Sequence, residues 1–115
     1  MSQGIPAGDL DRRITLQRSS PARDAFGAKV AGPLGWADLA SVKAKHTPVS
    51  DGERIRAQQN GASITDRFLI RWSKRLADLG ARDQLVFEGR TYGITGVKPV
   101  GRRVAVEITA IARAD

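Results

Sequence analysis

From Arg12 to Arg18 the chain reads RRITLQR, with Ile14 and Leu16 on one face and Arg13, Thr15 and Gln17 on the other. A period of two marks a half-buried β-strand. The same alternation returns from Leu39 to His46, where Ala40, Val42 and Ala44 take the inward parity and Ser41, Lys43 and Lys45 the outward one. It is strongest in SITDRFLIRW, Ser63 to Trp72: Ile64, Phe68, Ile70 and Trp72 share one face, Thr65, Arg67 and Arg71 the other, with Leu69 the exception. Two short runs, 84–87 and 90–94, flank Glu88-Gly89 and predict a hairpin. A two-residue loop there sets Leu85 opposite Tyr92, whereas a three-residue loop with a bulge sets Val86 there. After Gly101, RRVAVEITAIA places Val104, Val106, Ile108 and Ala110 on one face of a last strand.

The interruptions carry information too. Residues 1–9 read as a flexible arm, and 19–35 as a long Gly-, Pro- and Ala-rich loop in which Phe26 and Val30 anchor a loose hairpin. A second long loop, 47–62, contains a helix over about Asp51 to Asn60. Ser50 and Glu53 have the spacing of a capping box at its start, and Asn60-Gly61 supplies its stop. Ile55 and a few alanines are too little for a core face, so this helix is polar all round. Ser73 to Gly80 gives one further helical turn. The fold class expected is mainly β: a small antiparallel β-barrel, or a sandwich, of about six strands with one short polar helix on a long loop. Closure removes exposed edges and favours the barrel. The domain expected spans 10–115, with core positions Ile14, Val42, Phe68, Ile70, Tyr92, Val104, Val106 and Ile108.

Composition narrows the class. At 115 residues the chain is one domain that buries about two-thirds of its unfolded surface. With no cysteine there is no disulfide framework and no thiolate metal site. The N-terminus lacks a secretory apolar run, and no stretch approaches the roughly 18 apolar residues of a spanning helix, so a soluble protein with no membrane partner is expected. The formal net charge of +7, from 19 Lys and Arg against 12 Asp and Glu, favours a polyanionic partner, nucleic acid first. The cations are dispersed, without a block of five or six that would grip phosphates alone.

Chemistry is sparse. His46 is the single histidine, which leaves no spacing for a zinc site and reads as a solvated strand-end residue. Asp9 and Asp11 precede Arg12 and Arg13, which neutralise them. GITG and GPLG lack the strand, helix and Lys-Ser/Thr of a phosphate loop, and no serine stands in a nucleophile elbow. The chain reads as a non-enzyme without cofactors. Phe68, Trp72 and Tyr92 fall on inward parities, so they are core rather than a base-stacking platform, and contact with nucleic acid would be sequence-independent. The loop 47–62 stands out: Arg54, Arg56, Gln58 and Gln59 on an element with no apolar face, together with Lys43 and Lys45 on the outward face of the second strand, are the candidate contacts with a channel or a partner.

The order of these features resembles a known family. LDRRITLQR, a D-x-x-G loop (Asp24, Gly27), a Trp-led strand (Trp36 to Ala44), a P-x-S-x-G-E-like turn, FLIRW, VFEGRTYGITGV and a closing GRR strand are similar to the phage head–tail joining proteins. That family is also called head-closure, connector or stopper proteins of tailed phages and gene transfer agents. The resemblance covers roughly Leu10 to Ile111 and lies in order and spacing, above all Leu10, Arg13 and Ile14 at one end and Gly89, Arg90, Tyr92 and Ile94 at the other. Two departures are Val42-Lys43-Ala44 in place of Val-Trp-Ala and a turn one residue longer at Pro48 to Glu53. The resemblance implies a β-barrel that assembles with itself as a hexameric or dodecameric ring in the neck of the virion, after synthesis in the bacterial cytoplasm. The portal or its adaptor lies above and the tail terminator below, and packaged double-stranded DNA passes through the ring. Two other readings are an OB-like nucleic-acid-binding module and a tail-terminator or minor tail protein.

Overall fold

The computed structural model describes residues 7–19, 35–61 and 63–113. Six strands, β1 (Arg12–Ser19), β2 (Trp36–Pro48), β3 (Asp66–Arg71), β4 (Asp83–Phe87), β5 (Arg90–Val100) and β6 (Ala105–Ala112), are joined by one helix, α1 (Asp51–Gln59), and two 3-10 turns, Ala7–Asp9 and Lys74–Leu76. They close into an antiparallel barrel in the order β1-β2-β3-β6-β5-β4, with β4 pairing back onto β1. Of the expected arm, residues 1–6 lie outside the described residues, as does nearly all of the loop 19–35 with Phe26 and Val30. The described part of the arm is the turn Ala7–Asp9, followed by a buried Leu10.

The inward parities behave as the alternation dictates. Ile14, Leu16, Ala44, Phe68, Ile70, Tyr92, Val106, Ile108 and Ala110 are all buried in one core, with Leu85, Phe87 and Ile94. Val42 and Val104 are only half-buried, for two different reasons. β2 and β3 pair from Ala44↔Ile70 onward and separate before it, so Val42 and Trp72 line a groove where the wall parts. Val104 belongs to the turn after Gly101 rather than to β6. The hairpin adopts the two-residue loop: Leu85 faces Tyr92, and Glu88 and Gly89 have φ of 51° and 77°. Both φ angles are positive, as the tightest hairpin turns require, and glycine meets that demand without strain.

One end of the barrel is closed by the connection from β3 to β4, which buries Leu76 and Leu79 against the core. Towards the opposite end, His46 turns inward rather than into solvent. Its Nε2 lies 2.6 Å from Asp66 Oδ2, and its ring packs at 5.0 Å on Phe68 and 4.7 Å from Phe87. On the outer wall a chain of hydrogen bonds spans three strands: Arg113 donates to Gln84 on β4, Gln84 to Gln17 on β1, and Gln17 to Asp38 on β2, at 2.8, 2.8 and 2.9 Å. Gly93 leaves room for it, since a Cβ there would come within 3.3 Å of Arg113 Nε.

Candidate functional site

α1 starts where the sequence places it. Ser50 is extended at φ −66° and ψ 156°, and its hydroxyl accepts from the Glu53 N–H at 3.2 Å. The reciprocal half of a capping box is absent, because the Glu53 carboxylate points away to Arg67 on β3. Two guanidinium hydrogen bonds join them, Arg67 Nη1 to Glu53 Oε1 at 2.8 Å and Arg67 Nη2 to Glu53 Oε2. No residue of α1 is buried; Glu53 and Ala57 are half-buried, and Ile55 is 55% exposed. This ion pair, with buried Val49 and the hydrogen bond from Val49 N to Thr65 O at 2.9 Å, holds the helix to the barrel. A helix with no apolar face cannot be held by burial, so its attachment is electrostatic.

That attachment depends on pH in a defined direction. The hydrogen bonds from Arg67 hold the Glu53 carboxyl below the ordinary carboxylate range. A depressed folded-state pKa contributes stability above the unfolded value and loses it as pH falls through the folded one. Amide protection factors in α1 are therefore expected to fall on acidification before those of the barrel strands. Protection of α1 that persisted until the barrel itself unfolded would rule the tether out.

Lys43 and Lys45 are exposed on the outward face of β2, and Arg54, Arg56, Gln58 and Gln59 are exposed on α1. Lys45 lines an open groove of about 310 Å³ with Thr47, Arg67, Phe68, Leu69 and Glu107, at the foot of the α1 tether. Lys43 lines the groove where β2 and β3 part, about 320 Å³, with Leu10, Val42, Arg71, Trp72 and Ser73. Arg67 also lies 3.7 Å from Glu107 Oε1, so it is compensated twice. Arg54 has only a loose partner, Asp51 Oδ1 at 3.8 Å, and both side chains are largely in water.

What these residues present to solvent is positive charge and amides. Among the described residues no group of three His, Cys, Asp or Glu could hold a metal ion. Phe68 and Tyr92 are buried in the core, and Trp72 is half-buried with the Arg103 guanidinium 5.2 Å from its ring. No helix among the described residues is long and apolar enough to cross a membrane. The tether and the buried polar pairs went unrecognised in the sequence, although Arg67 shows as an outward cation near a helix-borne acid.

A family model described as phage head completion protein matches residues 5–113 of the chain. Among solved structures, the solution structure of protein SF1141 from Shigella flexneri 2a is similar, with 28% sequence identity over 96% of this chain and 99% of that one and a TM-score of 0.72. No curated protein matches the chain.

Proposed function

The chain belongs to the phage head completion protein family, and from that premise we propose that it closes the DNA-filled head as a ring in the virion neck. Membership makes it a structural protein of the phage particle. The finer reading is a hexameric or dodecameric ring between the portal or its adaptor and the tail terminator. It retains packaged DNA by sequence-independent contact and presents the surface on which the tail docks. The observation that carries this is a family match over nearly the whole chain. A closed barrel with a polar helix on its flank also suits a scaffold for contacts with partners. Ring symmetry multiplies weak contacts, so each protomer can be small. Phe68 and Tyr92 are in the core and offer no stacking face, which speaks against an OB-like module that stacks bases on them.

In this reading α1, with Arg54, Arg56, Gln58 and Gln59, and the lysines Lys43 and Lys45 meet the channel or a neighbouring protomer. Arg54→Glu with Arg56→Glu is the test. Both side chains are exposed, and an exposed ion pair such as Arg54–Asp51 contributes at most about 1 kcal/mol, so the fold should be nearly as stable as the parent. Particles carrying the double variant are expected to leak DNA or to lack an intact neck ring. Normal, DNA-filled, tailed particles would refute the assignment.

A further inference from the structure

We propose that the outer face of β1, β2 and β3, centred on Arg13 and Lys43, is the surface that meets the sugar-phosphate backbone of duplex DNA. This rests on the head-completion reading and adds to it the face that turns towards the duplex.

The register carries the inference. Arg13 and Lys43 are directly opposite each other across the β1–β2 ladder, and both are exposed. Like charges in that relation destabilise a sheet. Here an opposite charge would cost the fold nothing, since neither side chain is committed to the core. Lys45 follows two residues along β2, and Arg71 on β3 lines the same groove as Lys43. Around them the outward positions are hydroxyls, with Thr15 on β1 and Ser41 and Thr47 on β2; the outward carboxylate of this ladder, Asp38, lies beyond Ser41 and is paired with Gln17. The Ser41 hydroxyl already accepts from Arg13 at 3.3 Å. Arg and Lys interspersed with Ser and Thr is the composition that contacts phosphate oxygens, and such contacts position a protein on DNA without reading its sequence.

The composition also selects among polyanions. An acidic protein partner would be expected to bury an aromatic or aliphatic anchor at the centre of its interface. Here the centre holds two cations, with Leu69 to one side between Lys45 and Glu107 and the groove of Leu10, Val42 and Trp72 opening beside Lys43 where β2 and β3 part. Arg67 does not belong to the patch, because Glu53 and Glu107 compensate it. Duplex phosphate is the occupant that cations and hydroxyls at the centre of this face fit.

The test uses the full-length purified protein and a labelled duplex of random sequence, titrated from low to moderate salt. Three chains are compared: the parent, Arg13→Glu with Lys43→Glu, and Arg54→Glu with Arg56→Glu, which carries the same change in net charge on α1. The sheet-face pair is expected to lose at least about tenfold in affinity at low salt. Its slope of log K against log salt should be shallower by about two, one for each phosphate contact removed. The helix pair is expected to lose much less. Equal losses in the two pairs would mean that only net charge matters, and a larger loss in the helix pair would place the duplex on α1; either result overturns the proposal, as does a parent that does not bind at low salt. A second readout is stability: Lys43→Glu alone replaces a repulsive pair with an attractive one and should raise Tm by on the order of 1–5 °C while weakening binding. A fall in Tm would contradict the repulsion. Failure of the head-completion reading shows elsewhere, as tailed particles that form and hold DNA without this protein, and leaves the binding comparison interpretable.

Discussion

Asp83→Ala is expected to destabilise the protein by about 1–3 kcal/mol, the cost of taking a buried acceptor away from the Gly80 N–H and the Arg18 guanidinium. The Asp83 carboxylate is fully buried and accepts three hydrogen bonds: Arg18 Nε at 2.9 Å, Arg18 Nη2 at 3.1 Å and the Gly80 N–H at 3.0 Å. Arg18 faces Asp83 across the β1–β4 ladder, the seam that closes the barrel. The same guanidinium reaches Asp78 at 3.0 and 3.2 Å in the segment that covers this end, beside buried Leu76 and Leu79. Its hydrogen bonds hold the Asp78 carboxyl below the ordinary carboxylate range, and those it donates to Asp83 and Asp78 push its own pKa above the ordinary arginine value. Removing Asp83 therefore loosens the seam, while Arg18 still reaches the cover through Asp78.

The loss belongs to the donors left without Asp83 rather than to the pair, and Arg18 keeps its second partner, Asp78. Replacing Arg18 with Met and Asp83 with Leu in one chain exchanges two desolvated charges for packed apolar groups, and that exchange is often near neutral. The double variant is expected to lose less stability than Asp83→Ala alone. Chemical denaturation measures both, provided the slope against denaturant is unchanged. A single variant that lost under about 1 kcal/mol, or a double variant that lost the sum of its parts, would mean that water reaches this end of the barrel.

How much of this was legible depends on which interactions are local. Ile14 and Leu16, Phe68 and Ile70, and Val106 and Ile108 declare their faces by period alone, and the barrel buries all of them. Ser50 marks the helix start because a cap needs only three residues of context. The hairpin at Glu88-Gly89 left two registers open, since Glu is not a residue that favours the left-handed region, and pairing across the sheet settled it. The buried polar pairs share the same alternation: Arg18 has the parity of Ile14 and Leu16, His46 that of Ala44, Asp66 that of Phe68, and Asp83 that of Leu85. Each is a polar residue at an inward position, which is a readable signal. Which acid meets which base is not readable, because Arg18 and Asp83 are 65 residues apart and meet only after β4 closes on β1. The candidate residues Lys43 and Lys45 were legible as exposed for the same reason, whereas the Glu53–Arg67 tether requires the helix to fold back over β3.

Phe68→Ala is expected to cost about 3–5 kcal/mol, roughly a fifth or more of the stability of a typical small domain. Phe68 is 0% exposed and lies between His46 on β2 and Ile108 on β6 in the ladders of β3. Its ring meets Phe87 and Tyr92 edge-on, with centroids 5.3 and 5.4 Å away and interplanar angles of 72° and 77°, while His46 stacks on it at 5.0 Å. Such pairs add about 0.5–1.5 kcal/mol to what area burial supplies. These rings come from four different strands, each fixed by its own ladder, so they cannot collapse into the space an alanine leaves. Phe68→Leu retains most of the volume and loses only the ring geometry, so it should cost clearly less. The His46–Asp66 contact at 2.6 Å supplies a local reporter, because His46 rests on the deleted ring. In Phe68→Ala the imidazole is expected to shift its NMR resonances and to become more accessible, whereas Arg18 and Asp83 at the other end of the barrel should be undisturbed. A loss below about 1 kcal/mol with unchanged His46 resonances would show that Phe68 is not at the centre of this aromatic cluster.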